Sequence, residues 1–217
     1  NTAGSVDSVA FYSRSYVSAT DFTYRKSTAS RSRITLEHEW NDHSKSSITV
    51  FNRMNKHGQN PSYGIRWTTG QTTAKGEINS NNFNSYGVIA QHSQQFNFLK
   101  SNLLVGGMFD FSPNTYWSYQ IDLNATLRPD GKSVEKYTIQ QERPDIKLAD
   151  YDAIIRNGAL YAQYDAALFK NLRLSLGVRY DVMSFTYDNY LDKSSGSKKY
   201  EQLTPKAGLT YDLGNGK

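Results

Sequence analysis

The segment from residue 112 to residue 154 carries side chains suited to binding a flat or anionic solute. Aromatic rings offer faces for stacking, and arginines donate charge-assisted hydrogen bonds to anionic groups. We predict that this segment is a very long loop, with ligand contacts from five residues: Tyr116, Trp117, Tyr119, Arg128 and Arg143. The alternative is that residues 116–119 continue a strand. Tyr63 and Trp67, in an earlier connection, allow the same two interpretations.

A second set of charged residues alternates with apolar residues towards the C-terminal end of the sequence. Charges at every second position of a strand share one face of the sheet. This pattern predicts a wet lumen-lining surface made of five residues: Arg173, Arg179, Asp181, Lys206 and Asp212. Asp110 and Asp165 fall on the polar faces of other predicted strands, which allows cross-strand pairs such as Arg179 with Asp165. The alternative is that these charges only keep the interior hydrated.

Motifs for catalysis are absent from the sequence, and we predict that the protein is not an enzyme. The chain has no Gly-x-Ser-x-Gly, no phosphate-binding glycine loop and no His-Glu-x-x-His. It also has no cysteine, which excludes a thiol nucleophile and a cysteine-ligated metal. His38 lies between Glu37 and Glu39 on a predicted strand, so the two carboxylates point away from the imidazole. We therefore expect no catalytic residue, no metal and no cofactor.

Composition limits the class of partner. The net charge of +5 comes from basic residues spread along the chain, whereas nucleic-acid binding needs a basic stripe, so we predict no nucleic-acid partner. Mean hydropathy is −0.68, and no apolar run reaches the roughly 18 residues of a transmembrane helix. In a barrel strand only every second side chain faces lipid, so low mean hydropathy is compatible with a membrane protein whose strands cross the bilayer.

The elements that position these residues are predicted strands. Within the segment from Asn171 to Tyr187, apolar residues at the even positions 172–182 alternate with mostly polar residues at the odd positions 173–183. Period two over this length indicates a strand, and about 9–11 residues suffice to cross a bilayer at a tilt. Similar alternation predicts strands at 33–40, 46–53, 83–98, 103–111, 158–168 and 200–213, with a weaker one near 19–25. The chain therefore has room for about seven or eight strands.

Short and long connections alternate between these strands. The short ones are 41–45, 99–101 and 169–171, and the long ones are 53–82, 112–154 and 188–199. In an up-and-down antiparallel meander, this alternation puts the short turns at one end and the long loops at the other. Outer-membrane barrels have short periplasmic turns and long extracellular loops. We therefore predict an all-β fold that forms part of a transmembrane barrel wall, with aromatics at a membrane interface: Trp40, Phe96, Phe98, Phe111 and Phe169.

The C-terminal third resembles the barrel of TonB-dependent outer-membrane receptors. The stretch NGALYAQYDAALFKNLRLSLGVRYDVMSFTY is similar to a barrel hairpin of that family, with Tyr161-Ala162-Gln163, a turn at Lys170-Asn171, and a strand from Leu174 to Asp181. The stretch LTPKAGLTYDL is similar to the strand that follows. About sixty residues match well, and earlier ones match only in strand style and loop placement.

The resemblance implies a barrel of about 22 strands with an N-terminal plug, energised by TonB. It implies a Gram-negative outer membrane, contact with membrane lipid and lipopolysaccharide, and an extracellular solute, with a ferric siderophore favoured. The chain begins at Asn1 without an initiator Met. We expect residues 1–217 to be a partial barrel from which the plug and the remaining strands are absent.

Two other classes of protein remain open from the sequence. A small structural or adhesive outer-membrane barrel would close on itself by pairing its first and last strands. A soluble β-rich carbohydrate-binding module would bury the apolar face of residues 172–182 against a second sheet. The exposure of that face distinguishes the soluble class from the two membrane classes.

Overall fold

The computed structural model describes residues 8–14 and 18–214. Within these ranges it contains one short helix and eight strands: α1 (Ser8–Tyr12), β1 (Tyr24–Asn41), β2 (Ser44–Asn60), β3 (Arg66–Trp67), β4 (Thr73–Phe96), β5 (Ser101–Leu127), β6 (Val134–Phe169), β7 (Leu172–Asn189) and β8 (Ser195–Tyr211). Short 3-10 turns lie at Ser62–Gly64 and Phe98–Lys100. The predicted all-β fold is confirmed. In the described part of the chain, no helix has the length and apolar character needed to cross a membrane.

All the strands belong to one antiparallel sheet. Seven follow each other in the order β1-β2-β4-β5-β6-β7-β8, and the two-residue β3 pairs with the end of β4. Each strand on this path lies beside the next strand of the path, which is the predicted up-and-down meander. Among the described residues, β1 and β8 pair on one side only and are not joined to each other. The sheet is therefore an open wall with two edges.

The connections at the two ends of the sheet differ, as predicted. At one end, β1 and β2 are joined by two residues, and the Asn41 side chain accepts a hydrogen bond from the His43 amide at 2.9 Å. The β4–β5 connection turns through Leu99 and Lys100 at positive φ. At the other end, the connections span 61–72, 128–133 and 190–194. We refer to the short-turn end and the long-connection end below.

The strands extend further than predicted at the long-connection end. The segment 112–154, predicted to be a loop, is mostly strand: β5 runs to Leu127, and β6 starts at Val134. Aromatic and β-branched residues keep this stretch extended. Asp130 stabilises the turn between the two strands by accepting hydrogen bonds from the Lys132 and Ser133 amides, and Gly131 supplies a positive φ. The long-loop prediction for this segment is wrong.

The other predicted boundaries shift in the same direction. The segment 53–82 is shortened to 61–72, because β2 continues to Asn60 and β4 begins at Thr73. The weak strand predicted near 19–25 contributes only its last two residues, since β1 begins at Tyr24. Local alternation locates the membrane-crossing part of each strand, whereas pairing with a neighbour determines how far the strand continues beyond it.

One face of the sheet is a continuous apolar surface, which we call the apolar face. Cross-strand partners carry it from strand to strand, from Leu36 through Ile48 and Ala90 to the β5–β6 pair and on to Tyr180 and Leu203. These side chains are not covered by protein: Leu160 is 68% exposed and Leu203 is 58% exposed. Four exposed aromatics border it at the short-turn end: Trp40, Phe96, Phe98 and Phe169. Such a belt is stable only if lipid covers it.

A small hydrophobic core exists at the long-connection end. Ala74, Ile78, Ile121 and Leu123 are buried there, on the same face of β4 and β5 as the apolar belt. Side chains from the segment 18–23 and from the connection 61–72 cover them, including Phe22, Ile65 and Trp67. The Ala19 carbonyl also accepts a hydrogen bond from the Tyr137 amide at 2.8 Å, which fixes the covering segment on the sheet.

Candidate functional site: the polar face of the wall

The opposite face of the sheet, which we call the polar face, carries the predicted lumen-lining residues. Arg179 and Asp181 lie on this face of β7 and form an ion pair, with Nη2 at 2.7 Å from Oδ1. The guanidinium also lies over the Tyr161 ring, 5.7 Å from its centroid, and contacts the Met108 sulfur at 3.6 Å. Arg179 therefore pairs along its own strand and not with Asp165. This arrangement fixes the direction of the guanidinium.

The remaining charged residues predicted for this face are more dispersed. Arg173 and Lys206 are exposed at register positions on the same side of β7 and β8, next to Asp165 of β6. Asp212 lies just beyond β8 at the short-turn end, where its carboxylate accepts a hydrogen bond from the Gly214 amide at 2.9 Å. Asp212 thus stabilises the end of a strand, while Arg173 and Lys206 stay on the wall.

Tyr116, one of the predicted ligand residues, lies on the polar face. Its ring stacks on Tyr151 of β6, with centroids 5.2 Å apart. Its hydroxyl donates to the Glu77 carboxylate at 3.4 Å. Burial, with a smaller contribution from the Glu77 charge, raises the pKa of Tyr116 above its usual range. The pair presents stacked rings and a carboxylate on the same side of the sheet as the arginines.

Trp117 and Tyr119 lie on the other face, because their spacing from Tyr116 on the strand is odd. Their rings stack on each other at 5.6 Å and pack against the small core. The Tyr119 hydroxyl donates to Glu142 at 2.8 Å, and burial together with this hydrogen bond raises the pKa of Tyr119 to about 12. The structure therefore separates the predicted aromatic group, and Trp117 and Tyr119 have a packing role.

Arg143 lies at an irregularity of β6. The register between β5 and β6 jumps there, next to Pro144, which has no amide hydrogen to donate. Its guanidinium contacts Asp145 at 2.7 Å and Asp122 at 3.5 Å, and it holds the pKa of Asp145 below its usual range. Arg128 lies in the tip connection, where its amide donates to the Ser133 carbonyl. The structure does not bring these arginines next to Tyr116.

A cleft of about 440 Å³ opens at the tip of the β4–β5–β6 extension. Arg66 and Lys75 line it with Asp122, the partner of Arg143, and with polar side chains from the connection 61–72. Arg66 and Lys75 are directly opposite each other across the β3–β4 pair. In the described ranges, the cleft included, no group of three or more His, Asp or Glu side chains is arranged to hold a metal ion.

A polar network on this face is centred on Asp110, whose place on the polar face is predicted by alternation but whose partners are not. Asp110 of β5 is 3% exposed, and its carboxylate binds Arg53 at 2.6 Å and the Ser85 hydroxyl at 2.8 Å. Ser112 donates to the same carboxylate. The Arg53 guanidinium lies over the Phe51 ring, whose edge fills the space that a Cβ at Gly87 would need. Arg53, Ser85 and Asp110 come from three strands and meet only through register, so sequence spacing does not predict their contact.

A wall with a bare apolar belt on one face and a polar network on the other is the wall of a transmembrane β-barrel. A family model described as TonB dependent receptor-like, beta-barrel, matches residues 1–216. The chain belongs to that family. A search of the curated proteins finds no match.

Solved structures support the same fold at low sequence identity. The unliganded ferric citrate transporter FecA is similar over 88% of this chain, with a TM-score of 0.64 and 12% identity. The siderophore receptor PiuA from Acinetobacter baumannii is similar over 89% of this chain, with a TM-score of 0.63 and 16% identity. The open form of the ferric-catecholate import receptor Fiu from E. coli K12 is similar over 91% of this chain, with a TM-score of 0.62 and 16% identity. The chain spans 26%, 31% and 35% of those chains, respectively.

Proposed function

We propose that this wall is a segment of an outer-membrane receptor that imports a scarce solute with energy from TonB, and that the solute is a ferric siderophore. The observation that supports this most is the division of the sheet into a bare apolar belt and a polar face, in a chain of this family. Residues 1–217 are a partial barrel, and the plug and the remaining strands belong to other parts of the receptor. The wall catalyses no reaction, and its role is to bind the solute and admit it to the lumen of the barrel.

The siderophore proposal is supported by the names of the similar structures and by the chemistry of the polar face. The three structures described above are a ferric citrate transporter, a siderophore receptor and a ferric-catecholate import receptor. Tyr116 and Tyr151 offer stacked rings, and Arg143 offers a guanidinium near the same end of the wall. Planar aromatic chelators stack on such rings, and anionic groups bind guanidinium.

The proposal places the receptor in the outer membrane of a Gram-negative bacterium. The belt faces acyl chains, and the long-connection end faces the extracellular lipopolysaccharide. The periplasmic side is the short-turn end, as in barrels of this architecture. TonB acts through the plug, which lies outside residues 1–217.

The two competing classes fit the structure less well. A small closed barrel requires β1 to pair with β8, and in the described residues they do not pair. A soluble carbohydrate-binding sandwich requires a second layer over Val178 and its neighbours, yet Leu176 and Val178 are exposed. Among the described residues, the cluster of buried apolar side chains lies at the long-connection end.

The test is siderophore binding and iron uptake by the complete receptor in iron-limited cells. A Tyr116→Ala, Tyr151→Ala double variant removes the stacked pair, and we expect at least about tenfold weaker binding of the ferric siderophore, because stacking on two rings is lost. Tyr211→Ala, an exposed tyrosine at the short-turn end, is the matched control and should bind normally. Unchanged iron uptake after deletion of the whole receptor gene would exclude the siderophore as its solute.

A further inference from the structure

One arginine, Arg156, lies on the apolar face of the sheet. It belongs to β6 and shares this face with Leu160, because the two residues are an even number of positions apart on the strand. Its cross-strand partners are Phe111 of β5 and Ser184 of β7. Both neighbouring strands are in turn paired on their far sides, with β4 and β8. The direct surroundings of Arg156 in the sheet are therefore complete.

Arg156 lies at the border of the apolar face that is nearer the long-connection end. Phe169 marks the short-turn border on β6, and about 9–11 residues of a tilted strand cross the bilayer. Counting back from Phe169 places the other border close to Gly158, which is the next residue after Arg156 on this face. The neighbouring strand changes character at the same level, because Ser184 follows the apolar Val182 on this face of β7. Arg156 is therefore at the depth of the lipid headgroups.

The guanidinium of Arg156 makes no hydrogen bond or ion pair within the described part of the chain. It contacts the Phe111 ring, with Cζ 5.5 Å from the ring centroid. A cation over an aromatic ring is attracted by the charge distribution of the ring, and this contact uses none of the N–H donors of the guanidinium. The side chain is therefore held in place while its hydrogen-bond donors stay free.

The acidic residues on this face of the neighbouring strands do not reach Arg156. Asp152 and Asp188 are opposite each other, four residues further along β6, which is about 13 Å away. Glu201 of β8 forms an ion pair with Lys199. An anion that binds Arg156 must therefore come from outside the described residues, and the anions present at the depth of the headgroups are lipid phosphates.

We propose that Arg156 binds the phosphate of a lipid in the extracellular leaflet. A guanidinium matches a phosphate with two parallel hydrogen bonds, and the Ser184 hydroxyl adds a donor one strand away, at about 4.8 Å. An arginine on the lipid side of a barrel destabilises it more the deeper it lies, and a phosphate at the same depth offsets that effect. The inference rests on the proposed placement of the belt in the outer membrane, and it does not depend on the imported solute.

The experiment titrates the complete receptor in detergent with lipid A, the phosphorylated lipid part of lipopolysaccharide, and counts bound lipid by native mass spectrometry. We expect Arg156→Gln to bind lipid A at least about tenfold more weakly than the wild type. Arg156→Lys keeps the charge but loses the two-pronged geometry, so its affinity should fall between the two. Arg173→Gln is the matched control, because it removes the same charge from the polar face of β7 and should bind normally.

A second lipid and a free anion identify what the site recognises. Lipid A without its phosphates should bind the wild type as weakly as lipid A binds Arg156→Gln. Inorganic phosphate at the concentration of the lipid should not compete, because it has no acyl chains to pack on the belt. Equal binding of lipid A to the wild type and Arg156→Gln, equal binding of the phosphate-free lipid, or competition by inorganic phosphate would each overturn the proposal. The titration contains no siderophore, so its result is separate from that of the iron-uptake test.

Discussion

Two regions of the sheet differ in the exposure of their apolar side chains. These side chains are exposed in the membrane-crossing part of the wall and buried in its extension at the long-connection end. In the crossing part, Leu160 and Leu203 extend into open space from a ladder with almost regular register. In the extension, Ile121 and Leu123 are 0% exposed, and two covering segments lie over them. The β5–β6 register shifts four times in this second region.

The difference shows that the medium beside the sheet, lipid or water, determines whether the protein must cover its apolar side chains. Acyl chains solvate the belt, so the protein adds no layer there, and regular pairing satisfies the backbone groups. Beyond the membrane the same face meets water, so the chain must supply its own cover from residues 18–23 and 61–72. Irregular pairing is tolerated in that region because water satisfies the displaced backbone groups.

The strongest test of this comparison makes one substitution in both regions. Leu123→Ala loses the transfer free energy of its side chain and also leaves a cavity, at a cost of up to about 5 kcal/mol. Leu160→Ala loses only the transfer contribution, about 2 kcal/mol, because acyl chains fill the gap. Urea unfolding of the complete receptor in phospholipid vesicles measures both. Equal costs would mean that the belt is packed against protein.

A charge placed on the belt tests the lipid contact directly. Val178→Arg puts a guanidinium into the acyl chains and is expected to destabilise the receptor by about 2–4 kcal/mol. Gln202→Arg is the control, since it lies on the polar face opposite Asp181 and should change stability by less than about 0.5 kcal/mol. The same unfolding experiment reads both variants. Two small, similar effects would contradict a lipid-facing belt.

The polar face is expected to be tightly packed where aromatic rings cover glycines. A Cβ at Gly87 would lie 2.2 Å from the Phe51 ring, so Gly87→Ala displaces the ring and costs about 1–3 kcal/mol. Gly208 has nothing within 4 Å of the corresponding position, and Gly208→Ala should be close to neutral. Unfolding midpoints compare the two. If Gly87→Ala is also neutral, the Phe51 ring is mobile and does not support Arg53.

The smallest expected effect concerns pH in the extension. The pKa of Tyr119 is raised to about 12 in the folded protein, above the ordinary 10.0, by burial and by the hydrogen bond to Glu142. The folded state therefore keeps the proton longer, so this contribution to stability is complete below pH 10.0 and is lost as pH rises through about 12. We expect the unfolding midpoint of the wild type to fall more steeply over that range than that of Tyr119→Phe. Parallel curves would show that folding does not raise the pKa of Tyr119.

The membrane-crossing strands could be predicted from the sequence because lipid and water impose a strict period of two. Leu174 to Asp181 shows this pattern without any information from neighbouring strands. The extension could not be predicted from local alternation, because Trp117 and Tyr119 pack against segments that are distant in sequence.

The candidate site was predictable only in part for a related reason. Arg179 and Asp181 follow from alternation within their own strand, whereas Tyr116 was predicted in a loop and its place on the polar face of β5 was not. The contacts of Arg53 with Asp110 and of Arg156 with Phe111 depend on how strands are aligned across the sheet. A shift of register by one residue would move every one of these side chains to the other face.

The two unpaired edges also bear on how this wall enters a membrane. Each edge strand presents a row of amide and carbonyl groups, and leaving any of them unbonded in hydrocarbon carries a large energetic penalty. In the proposed receptor, neither β1 nor β8 can move into the acyl chains before another strand pairs with it. Insertion of this sheet is therefore cooperative with closure of the barrel, and half-assembled intermediates are expected to remain at the interface, where water still satisfies their edges.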